Sequence, residues 1–230
     1  MRNLFAALIV MMSATAWATD FEDALVAYDE GKYAQAAQSF EAAAEHGDAH
    51  AQLMLGVMYD KGEGVPQDHA EAARLYTLAA EQGDPRAQYN LGVMYSQGEG
   101  VPQDHAEAAR LYTLAAEQGH ASSQYNLGVM YDKGEGVPQD YAEAARLYKL
   151  AAEQGHASAQ YNLGALYGNG DGVPQDYLHA HLWFNLAAAQ GDELAKKNRD
   201  ILAEDMTPQQ IAEAQKLARQ CLAQDYKNCH

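Results

Sequence analysis

The stretch GEGVPQD stands at residues 62–68, 98–104 and 134–140, and GDGVPQD stands at residues 170–176. Glycine-rich loops can cradle phosphate, and clustered acids can hold a divalent cation, so one short stretch offers two chemistries four times over. Neither fits. The glycines follow no strand pattern and lead to no G-K-[ST], which excludes a P-loop. Asp60, Glu63 and Asp68 lack the spacing of an EF-hand loop, and Ser96 and Gly168 replace Asp60 in two copies. His179 and His181 form H-x-H, but two residues apart on a helix they point about 200° from each other and cannot share an ion. His69 aligns with Tyr141 and Tyr177, a packing position beside a helix cap. The histidines, His105 included, read as solvated or hydrogen-bonded. No carboxylate pair or nucleophile–base set stands at a recognisable spacing. No catalytic, metal-binding or cofactor-binding residue is assigned, and the chain reads as a non-enzyme.

The elements that carry these residues recur every 36 residues: 48–83, 84–119, 120–155 and 156–191. A period of this size marks a stack of small supersecondary units. In the second unit, AQYNLGVMY is a first helix whose Ala87, Leu91 and Tyr95 share one stripe. AEAARLYTLAAEQG is a second helix with Ala109, Tyr112 and Ala116 on its stripe. Gly56, Gly92, Gly128 and Gly164 sit inside the first helices. An interior glycine costs about 1 kcal/mol relative to alanine, so its recurrence predicts a close helix–helix approach.

The loop between the helices reads as architecture. Gly98 ends the first helix in a left-handed cap, Gly100 allows a second bend, and Val101 plugs toward the core. Pro102 stops the helix, and Asp104 caps the next one with Glu107 three residues on, a capping-box variant repeated at Asp68/Glu71 and Asp140/Glu143. The fourth copy, Asp176/His179, keeps the cap without the acid. Residues 19–47 form a shorter N-terminal helix pair. Residues 192–230 form a C-terminal helix pair and tail, where Thr207, Pro208 and Gln210 predict a second helix start.

Residues 1–18 read as a secretory signal peptide: Arg2, the apolar run from Leu4 to Met12, and Ala16-Trp17-Ala18 before the cut. The apolar run is too short to span a membrane. Removal leaves 14 cationic against 32 acidic side chains, a net of −18. Such a surface repels nucleic acid and anionic headgroups. The expected protein is exported, periplasmic or secreted, without membrane insertion. Cys221 and Cys229 could close a short loop in an oxidising compartment, or remain free or intermolecular thiols.

Ala-x-x-x-Leu-Gly-x-x-Tyr, then Gly-x-Gly-Val, Asp and a late Ala-Ala in a 36-residue unit resembles the Sel1-like repeat over residues 48–191. Ala27, Tyr28, Gly31, Tyr33, Ala36 and Phe40 look like a tetratricopeptide repeat, and the tail from Trp183 resembles the C-terminal end of bacterial Sel1-like repeat proteins. The resemblance implies an all-α fold, a right-handed α/α superhelical solenoid whose first helices line a concave face. It also implies protein–protein interaction, as an adaptor, regulator or assembly factor of the bacterial envelope. Family members with a disulfide in each repeat differ from this chain, which lacks those cysteines. Some of those members are linked with β-lactam binding, but no serine here has lysine three residues later, so S-x-x-K chemistry is unsupported.

On a helical wheel Tyr89 and Val93 lie opposite the stripe, with Asn90 on the flank. Tyr125, Asn126 and Val129, then Tyr161 and Asn162 (with Ala165), repeat the row. Two readings stand. These residues pack against the neighbouring repeat, or they line a groove that binds a protein or peptide segment. Tyrosine and asparagine suit the second role, as a rigid amphipathic ring beside an amide. A glycan or peptidoglycan ligand and a secreted role on host proteins are the alternative functions.

Overall fold

The computed structural model describes residues 21–227 and 229, and among these it contains helices and no strand. The signal-peptide reading lies outside the described residues. The first helix, α1, covers residues 21–29. There follow α2 (Tyr33–Glu45), α3 (Ala49–Lys61), α4 (His69–Glu81), α5 (Pro85–Gln97), α6 (His105–Glu117) and α7 (Ala121–Lys133). The chain continues through α8 (Tyr141–Ala152), α9 (Ala157–Asn169), α10 (Tyr177–Ala189), α11 (Glu193–Ala203) and α12 (Pro208–Ala223). The chain divides into two compact units, one ending at Asp104 and the other starting at His105.

In the unit that ends at Asp104, α1 to α4 pack around Phe40, Met58 and Leu75, with Ala24, Ala36 and Ala51 filling the seams between helices, and α5 packs against α4. In the unit that starts at His105, α8 to α10 and α12 enclose Tyr148, Leu163, Trp183 and Leu186. Alanine at the seams lets helix axes approach, and one large side chain per second helix fills what remains. The helical glycines mark where this approach is tightest. A Cβ on Gly56 would stand 2.7 Å from the Tyr76 ring, on Gly128 2.8 Å from Tyr148, and on Gly164 2.9 Å from Phe184.

Each loop is a set of satisfied backbone groups. In the 134–140 copy, Gly134 is left-handed (φ 72°) and its N–H bonds the Met130 carbonyl at 2.8 Å. Gln139 Nε2 donates to the Asp132 carbonyl at 2.7 Å, and the Asp140 N–H donates to the Tyr131 carbonyl at 2.9 Å. The Asp140 carboxylate then accepts from the N–H groups of Ala142 and Glu143. Gly136 (φ 73°) has no room for a Cβ, because the backbone of His105 already occupies that place. Val65 and Val173, equivalents of Val101, are half-buried against the cores of their units.

Two sequence expectations are corrected and one is met. The stripe of α5 runs through Ala87, Gln88, Leu91 and Met94, while Tyr95 is half-buried. The capping box is incomplete: Glu71 and Glu143 do not reach back to the cap. They turn forward and grip Arg74 and Arg146 in two-pronged bonds of 2.6–2.9 Å. At α12 the box is complete, with Thr207 and Gln210 bonding each other's backbone.

Gly128→Ala tests the helix–helix approach. Alanine favours the helix by about 1 kcal/mol, whereas the collision with Tyr148 costs about 1–3 kcal/mol. The expected result is net destabilisation, read as a lower midpoint in thermal unfolding; an unchanged or raised midpoint contradicts the close contact.

Candidate functional site

The row on the first helices is half-buried rather than open. Tyr89, Asn90, Val93, Tyr125, Asn126, Val129, Tyr161 and Asn162 are all intermediate in exposure, and Leu53, which begins the row, is buried. Tyr125 stacks on His156 of the next repeat, with ring centroids 4.6 Å apart, and lies 5.9 Å from Tyr148. Tyr161 packs against Phe184 at 5.7 Å. One side of each of these rings is therefore taken by the neighbouring helices.

The asparagines are engaged as well. Asn90 bonds the phenol of Tyr76, and Asn162 bonds that of Tyr148. Tyr148 in turn donates to Asp132 Oδ2 at 3.2 Å. Burial first, then the Asp132 charge, push the Tyr148 phenol well above its ordinary range. The fourth repeat has Phe184 at the tyrosine position, and the partner changes accordingly. Asn198, one period after Asn162, donates to the Tyr161 hydroxyl at 3.0 Å.

A second ladder escaped the sequence reading. Gln52, Gln88, Gln124 and Gln160 are buried. Gln52, Gln124 and Gln160 donate to the carbonyls of Ala44, Ala116 and Ala152 at 3.1–3.2 Å. Their own side-chain oxygens accept from Gln82, Gln154 and Gln190 at 2.7–2.9 Å. A buried amide fully bonded in this way fixes one repeat against the last carbonyls of the helix before it. Its one visible signal was the identical glutamine in all four repeats.

Next to the row, a groove of about 330 Å³ opens beside α11, walled by Ala165, Tyr177, Phe184, Asn198, Ile201 and Leu202. Ala165 belongs to the first-helix row. Ile201 is 54% exposed and Leu194 62%. Cys221 and Cys229 are joined by a disulfide. Among the described residues no group of three histidines, cysteines or acids is gathered as a metal site, and no helix is long and apolar enough to cross a membrane.

The histidines take structural places, with two exceptions, His105 and His181. His69 Nδ1 meets Asp60 Oδ1 at 2.9 Å, and His179 Nδ1 meets Asp176 Oδ2 at 2.7 Å. His156 caps α9, its Nδ1 accepting from the Ala159 N–H at 3.3 Å. His181 is buried, and its Nδ1 has no hydrogen-bond partner; the Nδ1 of His105 is likewise buried without one. Burial holds both His156 and His181 below their ordinary value near 6.5, and at His181 the Arg199 charge adds to the effect. The unfolded chain therefore binds protons on these groups at a pH where the folded chain does not. Their contribution to stability is present above about pH 6.5 and is lost as the pH falls below it. Thermal midpoints at about pH 7.5 and 5.5 should show a drop that His156→Asp/His181→Gln reduces, since aspartate caps the equivalent helices at Asp48 and Asp84. A midpoint equal or higher in acid, or an undiminished drop in the variant, contradicts this.

The model of the Sel1 repeat matches residues 49–84, 85–120, 121–156 and 157–192. Comparison with curated proteins finds no match. Among solved structures, the chain is similar to a protective antigen of uropathogenic Escherichia coli with an SLR fold, at 37% identity and a TM-score of 0.81. That match covers 93% of this chain and 48% of the antigen, so the chain spans about half the antigen's length. It is also similar to a Sel1 repeat protein from Oxalobacter formigenes, at 34% identity and a TM-score of 0.74, over 78% of this chain and 74% of that one. An immunity protein of Pseudomonas aeruginosa, at 22% identity and a TM-score of 0.50 over 90% of this chain and 82% of that one, shares the fold alone.

Proposed function

The chain belongs to the Sel1 repeat family, whose members generally mediate protein–protein interaction, and on that premise we propose that it is an exported scaffold binding a partner protein or peptide along its first helices. The observation that carries the reading is the row Val57, Val93, Val129 and Ala165. Within each unit it recurs once per repeat at partly exposed positions of the first helices, Val129 and Ala165 also touching the cores of their unit, and Ala165 borders the groove beside Ile201. Small and medium apolar side chains at a fixed interval suit an extended or helical partner segment, with the polar groups around them setting register. The tyrosines and asparagines frame this row more than they form its contact surface, because their rings and amides already hold neighbouring helices.

Export rests on two further features. The N-terminal segment has the three parts of a secretory leader, and the disulfide between Cys221 and Cys229 belongs in an oxidising compartment. The partner is a protein or peptide and not nucleic acid, since the chain carries a net charge of −17.

Purification of partners from cell-envelope extract tests the reading, with wild type compared to Val57→Ser/Val93→Ser/Val129→Ser. The expected result is a partner recovered by wild type and reduced about tenfold for the triple variant at unchanged helical circular dichroism. Equal recovery by the folded variant overturns the assignment of this face. Fractionation checks export: the chain starting at Thr19 is expected in the periplasm or medium, and uncut chain in the cytoplasm contradicts it.

A further inference from the structure

A second set of clefts lies on the other side of the first helices, between successive second helices. In the unit that ends at Asp104, a cleft of about 340 Å³ opens between α2 and α4, with Leu55 and Tyr59 of α3 as its floor and Leu75 and Leu78 as one wall. In the unit that starts at His105, a cleft of about 430 Å³ opens between α6 and α8, with Leu127 and Tyr131 as its floor and Leu147 and Leu150 as one wall. Every lining residue of the second cleft stands two 36-residue periods after a lining residue of the first.

One period further on, the same positions are Leu163, Tyr167, Trp183 and Leu186, and there the space is full. Ala218 and Cys221 of α12, with Tyr226 and Cys229 of the tail, pack into that core. Gly155 shows the seat of the aromatic ring: a Cβ placed there would stand 3.0 Å from the Tyr226 ring. The equivalent glycines, Gly47 and Gly119, line the two open clefts and have nothing within 4 Å of that position. The chain thus displays the occupant of one cleft and leaves two copies of the seat empty.

The lining changes where the chain fills its own cleft. Leu182 stands where the open clefts have Arg74 and Arg146, His179 where they have Glu71 and Glu143, and Trp183 where they have Leu75 and Leu147. Leu182 and Trp183 are buried, whereas the side chains of Arg74 and Arg146 are each 58% exposed and fork-bonded to their glutamates. A permanently covered cleft is apolar throughout. A cleft that must stand in water keeps a charged rim, and leucine in place of tryptophan leaves room for a larger apolar side chain on the partner. The rim is also net acidic. Glu41, Glu45 and Glu71 face one arginine in the first cleft, and Glu117 and Glu143 face one in the second. After burial, the charges of Glu41 and Glu71 help raise the Tyr59 phenol, as expected for a negative pocket.

We propose that these two clefts are docking sites for an amphipathic helix of a partner protein that seats an aromatic side chain against Gly47 or Gly119 and presents lysine or arginine to the glutamate rim. Continuity with the α12 interface supplies the shape, and the rim supplies the charge. The surface is distinct from the valine row on the first helices and stands or falls separately from it.

The probe is a fluorescein-labelled 18-residue helix of leucine and lysine carrying one tryptophan, titrated into the full chain and followed by anisotropy. Leu78→Gln/Leu150→Gln should weaken binding about tenfold at unchanged helical circular dichroism, while Leu78→Met/Leu150→Met keeps it. Glu45→Gln/Glu117→Gln should weaken it about threefold, and the same helix with glutamate for lysine should not bind. Val57→Ser/Val93→Ser/Val129→Ser should leave binding unchanged. Absence of binding to wild type, equal affinity in the leucine-to-glutamine variant, or equal binding of the acidic helix overturns the proposal.

Discussion

The second glycine of each loop lies against the backbone of the second helix one repeat earlier. Gly64 meets Tyr33, Gly100 meets His69, Gly136 meets His105 and Gly172 meets Tyr141. Each glycine is left-handed, and each would overlap a carbonyl or amide if it carried a side chain. This contact sets how far a loop can move from the helix it crosses, and so fixes the spacing of consecutive repeats within each unit. The loop therefore works at two ranges. Gly134, Gln139 and Asp140 close their own helix pair, and Gly136 locks that pair onto its predecessor.

Other interactions take their geometry from that spacing. The buried glutamines reach the last carbonyls of the preceding second helix because the repeats approach so closely, and the asparagines reach the phenols of Tyr76 and Tyr148 for the same reason. Most of these bonds join one repeat to the next. Stability in such an array is a sum of repeat and neighbour terms, and here the neighbour terms are polar as well as apolar. The fourth repeat shows how the scheme ends. Phe184 drops the phenol, Asn198 turns to Tyr161, and Trp183 with Leu182 accepts α12 in place of solvent.

Much of the fold was legible because the determining residues act locally. Gly98 as a left-handed cap, Asp68 and Asp140 as N-caps and the Thr207–Gln210 box follow from short-range backbone chemistry, and the interior glycines announced a close approach whose partner is an aromatic ring. The 36-residue period located the helix pairs. The errors are of longer range. The spacing puts Tyr95 on the core stripe, but the buried face of α5 runs through Gln88 and Met94 and leaves Tyr95 at its edge. Glu71 was read as reaching back to its cap, but Arg74 one turn ahead offers a charged partner. A wheel shows one helix without its neighbours, so it left open whether Tyr125 and Asn162 face a ligand or the next repeat; in the structure Tyr125 rests on His156 and Asn162 bonds Tyr148. The filled cleft was invisible, since the tail that fills it has no counterpart in the repeat.

Each unit carries two kinds of surface, valine positions on the first helices and a glutamate-rimmed cleft between the second. Both depend on the repeats holding their spacing, so that contact deserves the most direct test. Chemical denaturation of Gly136→Ala against Gly119→Ala isolates it. Both glycines are left-handed (φ 73° and 85°), but a Cβ on Gly119 meets nothing within 4 Å. The left-handed penalty, about 1–2 kcal/mol, is common to both variants. The account predicts that Gly136→Ala loses at least about 2 kcal/mol more than Gly119→Ala. Equal losses in the two variants would contradict it.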